Sequence, residues 1–197
     1  MKKILLLGDS IRQNYQEYVK EQLKEKADVF YPRDNGRFCA FTLRYLHDYV
    51  RIFTQEDHRN FDVIHFNFGL WDILRLSNED RTFTSEQEYA DLLIRLCNRM
   101  NYLCPKAKLI FALTTSVIEP GFEPGELVGK RLNKDIKRFN EIAKQTLEKR
   151  VDAINDLWET ANQLPLMAHS DDVHFETAMG IKALGQKVVD IITTYIE

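Results

Sequence analysis

The sequence predicts a three-layer α/β/α sandwich built on a five-stranded parallel sheet. Two observations carry that prediction. Five short apolar runs recur along the 197 residues, and each is followed by a stretch with helical periodicity. The runs are nearly continuous in apolar residues, as strands buried on both faces are. Such alternation requires right-handed crossovers, and hence parallel strands covered by helices on both faces. No internal repeat, low-complexity segment or linker composition interrupts it. Residues 1–197 are therefore expected to form one domain.

The elements follow in order. Ile4-Leu5-Leu6-Leu7 is the first strand, stopped by Gly8-Asp9-Ser10. Ile11 to Lys26 is helical, with Tyr15, Tyr18, Val19 and Leu23 on one face. Ala27 to Tyr31 is the second strand, closed by Pro32. Arg33-Asp34-Asn35-Gly36-Arg37 is a polar turn with an Asn-Gly signal. Phe38, Phe41, Tyr45, Leu46, Tyr49 and Phe53 then recur at helical spacing, and Gln55 to Asn60 is a polar link. Phe61 to Phe68 is the third strand, ending at Gly69, and residues 73–83 read as loop. Thr84 or Ser85 caps the next helix, with Glu88 at capping-box distance from Ser85. That helix carries Tyr89, Leu93, Leu96, Met100 and Leu103 and is broken by Pro105. Ala107 to Leu113 is the fourth strand, running into Thr114-Thr115-Ser116. Glu119 to Gly129, rich in glycine and proline, reads as a long unstructured loop bordering any site. A long helix carries Leu132, Ile136, Phe139, Ala143 and Leu147. Val151 to Leu157 is the fifth strand, followed by a short helix from Trp158. Ser170 to Phe175 precedes a last helix carrying Ile181, Leu184, Val188, Ile192 and Tyr195.

Composition narrows the function. Lys and Arg total 27 against 30 Asp and Glu, a formal charge of −3, and the basic residues are dispersed. Clusters such as Lys20-Glu21 and Lys24-Glu25-Lys26 mix signs and read as solvated helix faces. No nucleic-acid or anionic-membrane partner is expected. No apolar stretch approaches the ~20 residues that span a bilayer. Lys2-Lys3 with Ile4 to Leu7 is too short for a signal peptide. The cysteines Cys39, Cys97 and Cys104 are odd in number and lack metal-ligand spacing, and Cys97 and Cys104 fall on an apolar helix stripe. A reducing cytoplasmic setting is expected, with no metal and no cofactor.

The candidate chemistry begins at Ser10. It stands where a buried strand turns into a helix, on the sheet edge where open α/β folds bind ligands. Such a serine is either a helix N-cap or a nucleophile with helix N–H groups nearby. Asp171-x-x-His174 lies just before the last helix. An aspartate there can orient one imidazole nitrogen and leave the other to take a proton from a hydroxyl. The competing reading has Asp171 or Asp172 cap the helix and leaves His174 as a surface residue. Of the other histidines, His65 belongs to a strand core, and His47 and His58 have no acid or nucleophile pattern beside them. His169 is near the Asp171 turn but outside its spacing.

Gly8-Asp9-Ser10 after the first strand, with Asp171-x-x-His174 before the last helix, resembles the SGNH (GDSL-type) hydrolase family. The resemblance runs the length of the chain through short motifs. It implies the same five-stranded sandwich and an ester hydrolysed by a Ser10–His174–Asp171 triad. It also implies that the N–H of Gly36, in Asn35-Gly36, helps form an oxyanion hole. Asp9 enters the site as part of the first motif. Gly69-Leu70-Trp71-Asp72 falls where the family usually has Gly-x-Asn-Asp, so Trp71 replaces an asparagine that would be a further oxyanion donor. Two residues can take that role: the indole N–H of Trp71, or Asn67 from the strand end. Otherwise Trp71 is a substrate wall, and the hole rests on the Ser10 and Gly36 N–H groups. Losing one such donor costs roughly 2.7–4 kcal/mol in the transition state.

The substrate range of the family implies an acetyl or short acyl ester on a carbohydrate or small molecule. Thr114-Thr115-Ser116 lies on the same sheet edge, and Arg131 and Asn133 at the next helix start are expected at the solvated surface. The Trp71 replacement also motivates a second reading, a non-catalytic carbohydrate or small-ligand binding protein. A third, a flavodoxin-like nucleotide or flavin protein, lacks Gly-x-Gly-x-x-Gly or Walker spacing at Gly8-Asp9-Ser10.

Overall fold

A computed structural model describes residues 1–54, 61–122 and 128–197. The chain runs β1 (Lys2–Gly8), α1 (Ser10–Leu23), β2 (Ala27–Phe30), α2 (Cys39–Thr54) and β3 (Val63–Asn67). It continues through β4 (Arg75–Leu76), α3 (Glu86–Leu103), β5 (Lys108–Ala112), β6 (Gly121–Phe122) and β7 (Gly129–Arg131). It ends with α4 (Asn133–Leu147), β8 (Ala153–Asn155), α5 (Leu157–Asn162), a 3₁₀ turn at Leu166–Ala168 and α6 (Ala178–Ile196). The expected polar link at Gln55–Asn60, with His58, lies outside the described residues.

The central sheet has strand order β2-β1-β3-β5-β8, and every pair is parallel, as the apolar runs predict. Helices α1 and α6 pack on each other, as do α2 with α3 and α3 with α4. Ile4 to Leu7, Val63, Ile64, Phe66 and Leu109 to Ala112 are buried in the middle layer. The ladders are shorter than the apolar runs because hydrophobicity records burial and not pairing. Phe61 and Phe68 are fully buried yet flank the β3 ladder. Ser85 caps α3 with a full capping box to Glu88, as its spacing predicts. Cys97 and Cys104 are buried in the core, and so is Cys39.

One expectation is corrected. Residues 73–83 and 119–129 are not wholly loop: β4, β7 and β6 form a small antiparallel sheet, with Arg75 opposite Lys130 and Gly121 opposite Arg131. Strands of two or three residues are too short to display a period of two. Residues 123–127 of that segment lie outside the described residues. Among the described residues no helix is long and apolar enough to cross a membrane.

The last rung of the sheet sets the site. Gly8 pairs with Asn67, Asn67 with Ala112 and Ala112 with Asn155. The turn into α1, the segment after β3 and the Thr114–Ser116 stretch therefore leave the sheet at one edge.

Candidate active site

Ser10 is not the cap of α1. Asp9 is: its Oδ1 accepts from the Ile11 N–H at 3.0 Å. The Ser10 hydroxyl is therefore not spent on the helix. Ser10 occupies the first helical position, where a backbone N–H has no intrahelical acceptor. The turn requires glycine at position 8. Gly8 has φ +152°, and a Cβ there would stand 2.2 Å from Asn67 Oδ1.

The Asp171 turn is built by its own carboxylate. Asp171 Oδ1 accepts from the N–H groups of Val173 and His174, each at 2.7 Å. Its Oδ2 lies 2.8 Å from His174 Nδ1. The turn docks on the rest of the fold through Phe175 N–H to Asn14 Oδ1 at 3.0 Å and Ile118 N–H to the Asp172 carbonyl at 2.8 Å. Phe175 and Val173 are buried beneath it. The competing reading, in which Asp171 or Asp172 caps the last helix, fails because Thr177 caps α6. With the turn so held, His174 Nε2 stands 2.8 Å from Ser10 Oγ. Burial raises the Asp171 carboxyl, but the His174 side chain and the Val173 and His174 N–H groups outweigh it and leave it below the ordinary carboxylate range. An ionised Asp171 can only accept, so Nδ1 carries the imidazole proton and Nε2 accepts from the Ser10 hydroxyl.

The oxyanion side differs from expectation. The Gly36 N–H is engaged: it donates to the Gly8 carbonyl at 2.8 Å. Arg37 N–H donates to Asn35 Oδ1 at 2.8 Å. Asn67 is also committed, its Nδ2 donating to Asp9 Oδ1 at 2.8 Å and its Oδ1 accepting from Tyr15 at 3.2 Å. Gly36 and Asn67 thus hold the site's backbone together. Asp9 lies inside the fold; burial raises its carboxyl, against the Ile11 N–H, the Asn67 amide and the positive charge of Arg131. Trp71 is the half-exposed residue of its segment, with Leu70 and Asp72 buried on either side. Among the described residues its indole N–H has no acceptor. The segment before it is anchored: Tyr89 Oη and Thr114 Oγ1 both donate to the Phe68 carbonyl, at 2.8 and 3.2 Å, and Arg131 Nε donates to the Leu70 carbonyl.

Arg131 is therefore not at the solvated surface as expected but 2% exposed, pointing in from β7. Asn133 clasps the backbone of Val117 through both of its amide atoms. Thr114, Thr115 and Ser116 are buried. His65 is buried in the sheet beside Asn155, and burial pushes its imidazole down to about 3, so it is neutral. His169 packs against Phe175 with its ring tilted, and His47 pairs with Asp48 at the surface. Among the described residues no group of three or more His, Cys, Asp or Glu is placed to hold a metal ion.

Two residues bordering the site were given no role by the sequence, although Asp72 ends the Gly69-Leu70-Trp71-Asp72 block. Asp72, fully buried, accepts from the Cys39 N–H at 3.2 Å and from Thr84 Oγ1 at 3.0 Å, joining the Trp71 segment to the start of α2. Arg12, also fully buried, joins α1 to the segment after β2. Its signal was available: Arg12 falls in register with Tyr15, Val19 and Leu23 on the buried face of α1.

The fold is shared with solved esterase structures over the whole chain. It is similar to the crystal structure of an acetyl xylan esterase, with a TM-score of 0.75 and 15% identity, over 96% of this chain and 99% of that one. The lipase/acylhydrolase from Enterococcus faecalis matches with a TM-score of 0.75 and 20% identity, over 100% of this chain and 98% of that one. An acetylxylan esterase from Geobacillus stearothermophilus matches with a TM-score of 0.71 and 18% identity, over 97% and 94%. No protein-family model and no curated protein matches the chain.

Proposed function

We propose that this protein is a serine esterase of the SGNH type that removes an acetyl or short acyl group from a carbohydrate or similar small polar alcohol. The observation that carries the reading is the continuous relay from Ser10 Oγ through His174 to Asp171, with both contacts at 2.8 Å. A hydroxyl is a weak nucleophile until a base takes its proton, and this geometry supplies the base and its orienting carboxylate. The names of the structural neighbours favour an ester substrate, and two of those described above are acetyl xylan esterases.

Ser10 Oγ attacks the acyl carbon while His174 Nε2 takes its proton. Asp171 keeps Nδ1 protonated and offsets the positive charge that develops on the ring. The tetrahedral oxyanion is met by the Ser10 N–H at the start of α1 and by the indole N–H of Trp71. Gly36 and Asn67 support this arrangement without donating to it. Collapse breaks the ester C–O bond, and His174 returns the proton to the leaving alcohol. Water, deprotonated by the same histidine, then cleaves the acyl-enzyme and regenerates Ser10.

The test is p-nitrophenyl acetate hydrolysis with Ser10→Ala. Turnover is expected to fall by about 10³-fold or more. Unchanged turnover removes Ser10 as the nucleophile. The engaged Gly36 and Asn67 donors favour one other reading, a ligand-binding protein that does not cleave. Wild-type Ser10 that resists a fluorophosphonate probe at neutral pH would favour that reading over the esterase.

A further inference from the structure

We propose that Arg12 is a positioning residue for this hydrolysis: its guanidinium fixes segment 32–36 against the Gly8 carbonyl, and so sets the backbone bordering Ser10. The inference rests on the reading of Ser10 as nucleophile. Arg12 lies in the first turn of α1 and is fully buried. Its Nη1 donates to the Pro32 carbonyl at 2.9 Å and to Gln16. Its Nη2 donates to the Asp34 carbonyl at 2.6 Å and to the Gly8 carbonyl at 3.5 Å. Its hydrogen-bond acceptors are main-chain carbonyls and an amide oxygen, not carboxylates. Burial lowers the guanidinium to about 10.

An apolar side chain would fill this space without desolvating a charge. What an apolar residue cannot do is bind two chain segments at once through a planar fork, and lysine, a point charge, cannot do so either. The segment so held approaches closely. Gly36 N–H reaches the same Gly8 carbonyl at 2.8 Å, and a Cβ on Gly36 would stand 2.5 Å from that oxygen. Gly8, Asp9 and Ser10 are consecutive, so any shift of segment 32–36 is felt one peptide away from the cap that orients Ser10.

The experiment compares Arg12→Lys and Arg12→Met with wild type by amide hydrogen exchange and by p-nitrophenyl acetate kinetics, per mole of protein folded by near-UV circular dichroism. Exchange across residues 32–38 should rise about tenfold or more in both variants while β3 and β5 keep wild-type protection. kcat should fall about tenfold or more with KM within about twofold, because a small misplacement costs rate before it costs binding. Wild-type exchange over 32–38, loosening spread evenly through the sheet, or unchanged kcat in both variants would each overturn the proposal. Exchange reads the hold on the segment without reference to catalysis, and Ser10→Ala alone decides the nucleophile. Failure of the one is therefore distinguishable from failure of the other.

Discussion

The two halves of the site are built on different principles. On one half, Ser10, His174 and Asp171 are partly exposed and bonded to each other through their side chains. On the other, Gly36, Asn67, Asp9, Arg12 and Asp72 are buried, and they spend their polar groups on the fold. On the proposed reading the first half presents chemistry, and the second holds the backbone that presents it. Trp71 is the exception on the second half, since it stands half-exposed on a segment whose neighbours are anchored. A buried charge tied to main-chain groups makes a stiff frame, but one sensitive to the loss of either partner.

The sharpest way to break the comparison is to disturb the relay without disturbing the frame. Asp171→Asn leaves an oxygen to accept from the Val173 and His174 N–H groups, so the turn can persist. The amide, however, favours the wrong imidazole tautomer. Turnover of p-nitrophenyl acetate should fall by about 10³-fold or more, with the thermal midpoint close to wild type. An effect of less than tenfold would mean that His174 needs no orienting carboxylate. Next in size is Trp71→Phe, which keeps the ring and removes the indole N–H. It should lower kcat by about 10²-fold with little change in KM. A loss confined to KM would reassign Trp71 from oxyanion donor to substrate wall.

The same contrast explains what the sequence discloses. Asp171-x-x-His174 is partly legible: its hydrogen bonds close within four residues, so the spacing permits them, but only the family resemblance chooses them over a helix cap. The strand-to-helix boundary at Ser10 is legible because the hydrophobic period changes there. Whether Ser10 caps α1 or stays free is not legible, because the adjacent Asp9 is an equally good cap. The Gly36 N–H and the Asn67 amide are less legible still. Whether they are available depends on the Gly8 carbonyl and on Asp9, reached only after the sheet has paired. Every residue but proline has an N–H, so no residue type marks one as vacant. The buried Arg131 shows a further limit: its alternation with exposed Lys130 spans only the three residues of β7.

The smallest expected effect concerns stability and tests whether the frame half carries buried charge. Burial pushes the Asp72 carboxyl up to about 7, against hydrogen bonds from the Cys39 N–H, the Thr84 hydroxyl and the Cys39 thiol. In the unfolded chain the same group titrates at about 3.9. The folded state therefore holds the proton more tightly. Its contribution is fully present below about pH 4 and is lost as pH rises through 7. Asp72→Asn can keep its carbonyl at the position of Oδ1, which accepts from both Cys39 N–H and Thr84 Oγ1. The variant does not titrate there. The difference in urea unfolding free energy between wild type and Asp72→Asn should thus slope between pH 4 and 7 and flatten on either side. Parallel curves across that range would mean that Asp72 is ionised at no cost, and that the frame is held by hydrogen bonds alone.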